Sequence, residues 1–191
     1  MKKIFLLSAF SLLFAFSTSA QTDKGWRSVG GSGLIKMDFK NSTYNFGLSP
    51  ELYWFVANNF ELGFDFGFGF GSSKYNDSTS SSGITGYVAP GIRYYFSDTE
   101  HKWRPYAFLN GGYEFNAYHN KTNNIKTNGN ASGFRGYAGM GLAWFFNEHA
   151  AFDMRLHLID YGLDNSLSPP KSDVMFNPTF TIGIRAFFHH D

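Results

Sequence analysis

Asp153, Arg155 and His157 alternate along Ala150-Ala-Phe-Asp-Met-Arg-Leu-His157. On an extended chain the side chains at i and i+2 share a face, so this spacing sets a carboxylate, a guanidinium and an imidazole in one row. Such a row could move a proton, but group transfer also needs an activated nucleophile, and no serine stands in a recognisable catalytic motif. The six histidines, at 101, 119, 149, 157, 189 and 190, are scattered without zinc-ligand spacing. Gly30-Gly-Ser-Gly33 and the stretch from Gly67 to Gly71 lack the following helix and the Lys-Ser/Thr pair that a phosphate cradle requires. Cysteine is absent, which removes thiolate ligands, thiol nucleophiles and disulfides together. The expectation is no catalytic, cofactor-binding or metal-ligating residue, no cofactor, and a chain that is not an enzyme.

The elements that carry these residues are legible from a strict period of two. From Phe60 to Gly71 every even position is apolar and every odd one is Glu61, Asp65 or glycine. A strand there shows Phe60, Leu62, Phe64, Phe66, Phe68 and Phe70 on one face and a small polar surface on the other. In a soluble sandwich the polar face meets water, where glycine only weakens the strand. The pattern is better explained by an aromatic face turned to lipid and a glycine face turned to a narrow polar lumen. On that basis Phe64→Arg is expected to be costly and Gly63→Ser less so.

The same period predicts strands near Trp26 to Phe39, Tyr44 to Val56, Phe60 to Ser72, Ile84 to Phe96, Arg104 to His119, Gly133 to Phe146, Ala150 to Leu163 and Val174 to Phe188. Ala57 to Asn59, Asn147 to His149 and Ser97 to Lys102 read as short turns. Ser73 to Ser82, Asn120 to Ser132 and Asp164 to Asp173 read as long polar loops, with the first hairpin, near Lys40 to Thr43, the exception. Four alternate strands end on a repeated phrase: Glu51-Leu-Tyr-Trp-Phe-Val56, Gly91-Ile-Arg-Tyr-Tyr-Phe96, Gly141-Leu-Ala-Trp-Phe-Phe146 and Gly183-Ile-Arg-Ala-Phe-Phe188. Trp54, Tyr94, Trp144 and Phe188 then form one interfacial girdle, with Tyr44, Phe70, Phe115 and Tyr161 as the other. The fold class is all-β, an eight-stranded antiparallel up-and-down transmembrane β-barrel.

The same parity turns Lys36, Asp38, Glu51, Glu61, Asp65, Arg93, Arg104, Glu114, Arg135, Asp153, Arg155 and Arg185 into the lumen. An eight-stranded barrel is wide enough only for its own side chains, so these charges read as an ion-pair plug. Pro50 and Pro90, both interior to strands and both just before the repeated phrase, suggest a shared bulge. Pro178 is a third case, nearer the start of its strand.

Met1-Lys2-Lys3, the apolar run from Ile4 to Phe16 and Ser17-Thr-Ser-Ala20 read as a signal peptide over 1–20, cleaved after Ala20 and leaving 21–191 as one domain. No other segment reaches the roughly 20 apolar residues of a membrane helix. Loss of Lys2 and Lys3 leaves fourteen basic against fifteen acidic residues, a net charge of −1, and no nucleic-acid partner is expected. Charged residues are 16% and aromatic residues 20% of the chain, a balance opposed to an ordinary soluble surface.

On strand count, loop asymmetry and girdles, the chain resembles the OmpX and OmpA transmembrane-domain type of small outer-membrane barrel, within the outer-membrane protein β-barrel domain group. The likeness spans essentially the whole mature chain. Thr181-Ile-Gly-Ile-Arg-Ala-Phe-Phe188 is similar to the C-terminal assembly signal of such proteins, although Ala186 replaces a bulkier residue and His189-His190-Asp191 follow. The resemblance implies the bacterial outer membrane, contact with its lipids and lipopolysaccharide, barrel-assembly machinery met through the last strand, and a monomer. The expected role is non-catalytic, structural or adhesive through extracellular loops, whose ligand is not specified. The rival readings are a narrow porin, a lipid-modifying enzyme with a Ser/His/acid set at the rim, and a soluble lipocalin-like carrier with its apolar face inward.

Overall fold

The computed structural model describes residues 22–38, 42–76, 78–97, 101–122, 125–164 and 171–189. The expected signal peptide, and His190 and Asp191, lie outside them. Eight strands follow one another round a closed antiparallel barrel: β1 (Trp26–Asp38), β2 (Thr43–Ala57), β3 (Phe60–Asn76), β4 (Thr79–Tyr95), β5 (Trp103–Thr122), β6 (Ile125–Asn147), β7 (Ala150–Asp164) and β8 (Lys171–His189). The alternation in β3 resolves as expected, with Phe64 42% and Phe68 59% exposed while Glu61 and Asp65 are buried. Leu48, Leu62, Val88, Ile92, Leu109, Met140, Leu156 and Ile184 continue the apolar outer face around the other strands. A continuous apolar exterior over a charged interior suits lipid and not water.

The hairpins correct the expected loops. β3 and β4 pair out to Asn76↔Thr79, and β5 and β6 to Thr122↔Ile125, so most of Ser73 to Ser82 and of Asn120 to Ser132 is strand, while most of the third expected loop, 165–170, lies outside the described residues. Once the register is set the ladder continues wherever polar cross-strand pairs sustain it, and an apolar face is not required beyond the bilayer. Ser81 donates to Asn120 Oδ1 at 2.7 Å and Thr85 to Asn116 Oδ1 at 2.5 Å in that extension. At the opposite end, Asn58 and Asn59 suffice to join β2 to β3, with Asn59 in the left-handed region at φ 62°, which asparagine tolerates better than most residues.

The shared proline bulge is absent. Leu48↔Phe68 and Glu51↔Asp65 keep one phase across Pro50, as do Val88↔Tyr113 and Gly91↔Asn110 across Pro90. The ladder lapses on one side of each proline, which has no N–H to give, while Gly31↔Pro50 and Phe64↔Pro90 are paired on the other. A true irregularity falls at Pro178: His157↔Thr179 gives way to Ile159↔Phe176, setting Asn177 and Pro178 against Leu158. The β6–β7 register shifts at the same height, from Gly139↔His157 to Ala138↔Ile159. This bulge reverses the facing of β7, so Ile159 turns outward and Asp160 inward.

Three lumenal glycines are seats for cross-strand tyrosines. Tyr53, Tyr87 and Tyr106 stand opposite Gly63, Gly67 and Gly141, and a Cβ on each glycine would collide with the carbons of the facing ring. At Gly63 such a Cβ would also collide with the Leu52 carbonyl oxygen. Gly63→Ser is therefore not the mild change that the alternation implies, because the obstacle includes backbone.

Candidate functional site

The lumen is filled in three levels, each set by the inward positions of several strands. At the end holding the termini, the fifth residue of each repeated phrase points inward: Phe55, Tyr95, Phe145 and Phe187 are buried, while Trp54, Tyr94, Trp144 and Phe188 stand outside. Phe145 and Phe187 have ring centroids 4.8 Å apart, and Tyr95 and Tyr106 lie 5.1 Å apart. Arg104 lies 4.7 Å over the Phe145 ring and donates to Thr22 Oγ1 at 2.8 Å. The segment from Thr22 to Trp26 is tied across this end by Asn59 N–H to Thr22 O at 2.8 Å and Gly25 N–H to Phe55 O at 2.9 Å. Sequence reasoning assigned the aromatic phrases to the girdle alone. Because consecutive strand residues face opposite sides, each pair had to supply the plug as well.

Above the plug lies the ion layer. Arg93 on β4 donates to both Glu51 oxygens, at 3.2 and 2.7 Å, and to Asp65 Oδ1 at 3.3 Å, with its guanidinium 3.7 Å from the Tyr53 ring centroid. Arg155 reaches Glu51 at 2.8 Å and Asp153 at 3.0 Å. Arg185 reaches Glu61 at 3.1 Å and Asp153 at 3.4 Å. Neutral donors complete the layer: Ser28 to Glu61 at 2.7 Å, Tyr106 to Asp153 at 2.5 Å, and the Asn110 amide to Asp65. Four carboxylates thus serve three guanidiniums, all seven side chains buried. Guanidiniums shared between carboxylates, with hydroxyl and amide donors on the remaining oxygens, are the arrangement in which buried charge is tolerated.

That count revises one expectation. Asp65→Asn does not strand an arginine, since Arg93 keeps both Glu51 oxygens. The variant should lose about 1 kcal/mol, the low end for a buried hydrogen-bond partner, as read from the urea midpoint of refolding in detergent. A loss above about 3 kcal/mol would mean that Asp65 and not Glu51 is the hub.

The third level is a polar chamber of about 230 Å³ whose walls include Tyr87, Asn110, Arg155, His157 and Asp160. Its rim carries Arg135, 39% exposed, paired to Glu114 at 3.0 Å and Asp160 at 3.5 Å. Of the charges expected in the lumen, Glu51, Glu61, Asp65, Arg93, Arg104, Asp153, Arg155 and Arg185 are buried, and Glu114 and Arg135 form this rim. The Lys36 side chain lies outside the described residues, and Asp38 is partly buried near the far end of β1. Asp160 was missed. Placing His157 inward and Tyr161 in the outer girdle already demanded a break of phase between them, which strict alternation hides.

The row that opened the sequence reading is assembled but otherwise engaged. Asp153 is held by Arg155, Arg185 and Tyr106, whereas His157 sits edge-on between Phe108 and Tyr137, with ring centroids at 5.1 and 5.5 Å. Among the described residues no group of His, Asp and Glu converges to hold a metal ion.

Comparisons place this architecture. The family model described as "Outer membrane protein beta-barrel domain" matches residues 6–186. The outer membrane protein OprG from Pseudomonas aeruginosa superposes with a TM-score of 0.50 at 17% identity, covering 91% of this chain and 100% of that one. Ail, the attachment invasion locus protein of Yersinia pestis, gives a TM-score of 0.47 at 15% identity over 86% and 98% of the two chains. The outer membrane protein W of E. coli gives 0.45 at 13% over 89% and 100%. Identities this low speak to fold alone. No curated protein gives a significant sequence match.

Proposed function

Since the chain belongs to the outer membrane protein β-barrel domain family and so resides in the bacterial outer membrane, we propose that it is a closed, non-catalytic barrel acting at the cell surface through its projecting hairpins. The observation that carries this is the filled lumen: the aromatic plug and the ion layer occupy the bore in series, with Tyr53, Tyr95, Tyr106, Arg93, Arg104 and Arg185 each 1% exposed or less. In this reading the turn-bearing end with both termini faces the periplasm, and the β3–β4 and β5–β6 hairpins face outward. β5 and β6 run 20 and 23 residues, and β6 continues beyond its last pairing with β7 at Gly133. Strands of roughly 9–11 residues span the bilayer, so these two carry polar surface well clear of it.

The experiment has two arms. In planar bilayers the purified protein should show no stable large conducting state, and a sustained open channel would favour the narrow porin. On cells, trimming the β5–β6 hairpin back toward Glu114 and Gly133 should leave a heat-resistant barrel in detergent but reduce attachment to surfaces. Undiminished attachment would remove the surface role and leave a structural one.

The assembly machinery is the partner proposed for β8, and outer-membrane lipid and lipopolysaccharide surround the barrel as a monomer. Phe188 stands outside the barrel, 52% exposed, and pairs with Arg27 across the closing seam. Phe188→Ala should lower the inserted amount several-fold without affecting passage across the inner membrane, as measured by fractionation. Equal outer-membrane levels would dissociate Phe188 from assembly.

A further inference from the structure

The closing seam of the barrel stops short. β1 and β8 pair from Trp26↔His189 to Ser32↔Gly183, yet β1 continues to Asp38 and β8 begins at Lys171. Among the described residues this is the one seam at which both strands run on past their last pair at the far end. Continuing the register would set Gly33 opposite Ile182 and Asp38 opposite Asn177. Backbone left unpaired within the hydrocarbon is costly unless something occupies the gap or it lines a polar cavity.

A polar cavity lies directly behind the fork. The chamber of about 230 Å³ is bounded on this side by Ser32, Thr179 and Thr181, three small side chains. Outside the fork is a second hollow, of about 330 Å³, bordered by Gly31, Gly33, Gly183, Phe152, Ile182 and Ile184. Ser32 borders both. The outer hollow is apolar and glycine-floored, and the inner one is polar and sized for a small head group. A polar space and an apolar notch that meet where a β-ladder ends match the two parts of an amphiphile, which the surrounding membrane supplies.

The chamber selects the head. Arg155, the cation in its wall, is already held by Glu51 and Asp153. Asn110 gives its amide N–H to Asp65, and its Oδ1 is buried without a partner among the described residues. Asp65 and Asp160 add carboxylates to the same wall. The hydroxyls of Ser32, Ser49, Tyr87, Tyr137 and Thr181 can donate or accept, so the bias of the wall is set by its acceptors: Asn110 Oδ1 and Asp160 Oδ1 have no hydrogen-bond donor among the described residues, and two carboxylates stand against one guanidinium, which calls for a donor head carrying positive charge. We propose that the unzipped upper seam between β1 and β8 is a lateral binding site for a single-chain amphiphile with a primary ammonium head, the head in the chamber near Asn110 and Asp160 and the chain leaving through the fork onto the outer notch. This site rests on the family's membrane location and is independent of the surface role, so either can fail alone.

The test uses the full barrel in lipid nanodiscs and dodecylamine carrying a photoreactive diazirine at its chain end, with the matching carboxylic acid as control probe. The amine should label peptides holding Gly31 to Gly33, Phe152 or Ile182 to Ile184 at least fivefold more than the acid does, and unlabelled dodecylamine should compete. The chain has no cysteine, so the pair Gly33→Cys and Ile182→Cys introduces the sole thiols. A Cβ at Gly33 meets nothing nearer than the Gly47 carbonyl oxygen at 3.7 Å, and Ile182 is exposed. Oxidation to the intramolecular disulfide should staple the seam and abolish the labelling, and reduction should restore it. Equal labelling by amine and acid, labelling spread over the whole lipid face, or labelling that survives the staple would overturn the proposal. So would a disulfide formed between two copies, which would assign the open edge to a second chain. If no disulfide forms, the amine-to-acid ratio in the parent protein decides by itself.

Discussion

Arg93→Met should destabilise the barrel by about 3 to 5 kcal/mol, the range for removing one partner from a buried ion pair. The arginine donates to Glu51 and Asp65, lies 3.9 Å from Glu61 and covers Tyr53. Methionine restores some of the lost volume, so the expected effect is electrostatic: four buried carboxylates would face two guanidiniums in a bore jacketed by lipid. The measurement is the urea midpoint of reversible folding into detergent or short-chain lipid, supported by heat-modifiable migration on gels. Arg135→Met is the matched control, because its pair sits on a half-exposed rim and should contribute roughly 0 to 1 kcal/mol. Combining Arg93→Met with Glu51→Gln should cost much less than the sum of the two, since the second change removes one of the buried negative charges that the first left in surplus. Additive losses, or an Arg93 variant within about 1 kcal/mol of the parent, would mean that the ion layer is not a coupled unit.

Phe64→Arg should cost up to about 2 to 4 kcal/mol, the range for a guanidinium on the lipid face at the bilayer midplane, and reduce the inserted fraction. Phe64 points outward, 42% exposed, between Leu52 and Pro90 on the neighbouring strands, with the apolar belt on either side. A suitable inward control is Gly69→Ser, not Gly63→Ser. At Gly69 the nearest atom to an added Cβ is Thr85 Cβ at 3.6 Å, ordinary contact, whereas Gly63 is closed by the Tyr53 ring and the Leu52 carbonyl. Gly69→Ser should fall within about 0.5 kcal/mol of the parent, as changes away from packed features do. A Phe64→Arg variant as stable as the parent in bilayers would place β3's aromatic face somewhere other than lipid.

Much of this was legible from residues alone. The period of two from Phe60 to Gly71 decided which face of β3 meets lipid, and the recurrence of Trp54, Tyr94, Trp144 and Phe188 at alternate strand ends decided the girdle. Both are local properties of an extended chain, in which neighbours must face opposite ways. The same rule placed Glu51, Glu61, Asp65, Arg93, Asp153, Arg155 and Arg185 together in the bore, because eight strands leave them nowhere else to go.

What only the tertiary structure decided depends on pairing between strands. Hairpin length is one case: Ser73 to Ser82 has the composition of a loop, and only its partner strand shows that Ser81 continues a ladder with Asn120. The facing of Asp160 is another, since a one-residue slip at Leu158, opposite Pro178, reverses everything beyond it, and the residues from His157 to Tyr161 demand a break of phase without fixing where it falls. The preference of Arg93 for Glu51 over its other acidic neighbours, the seating of Tyr53 on Gly63, and the early end of the β1–β8 seam belong to the same class. Alternation specifies the face of a side chain; its partner is set by register, which is a relation between two distant segments and is written in neither one.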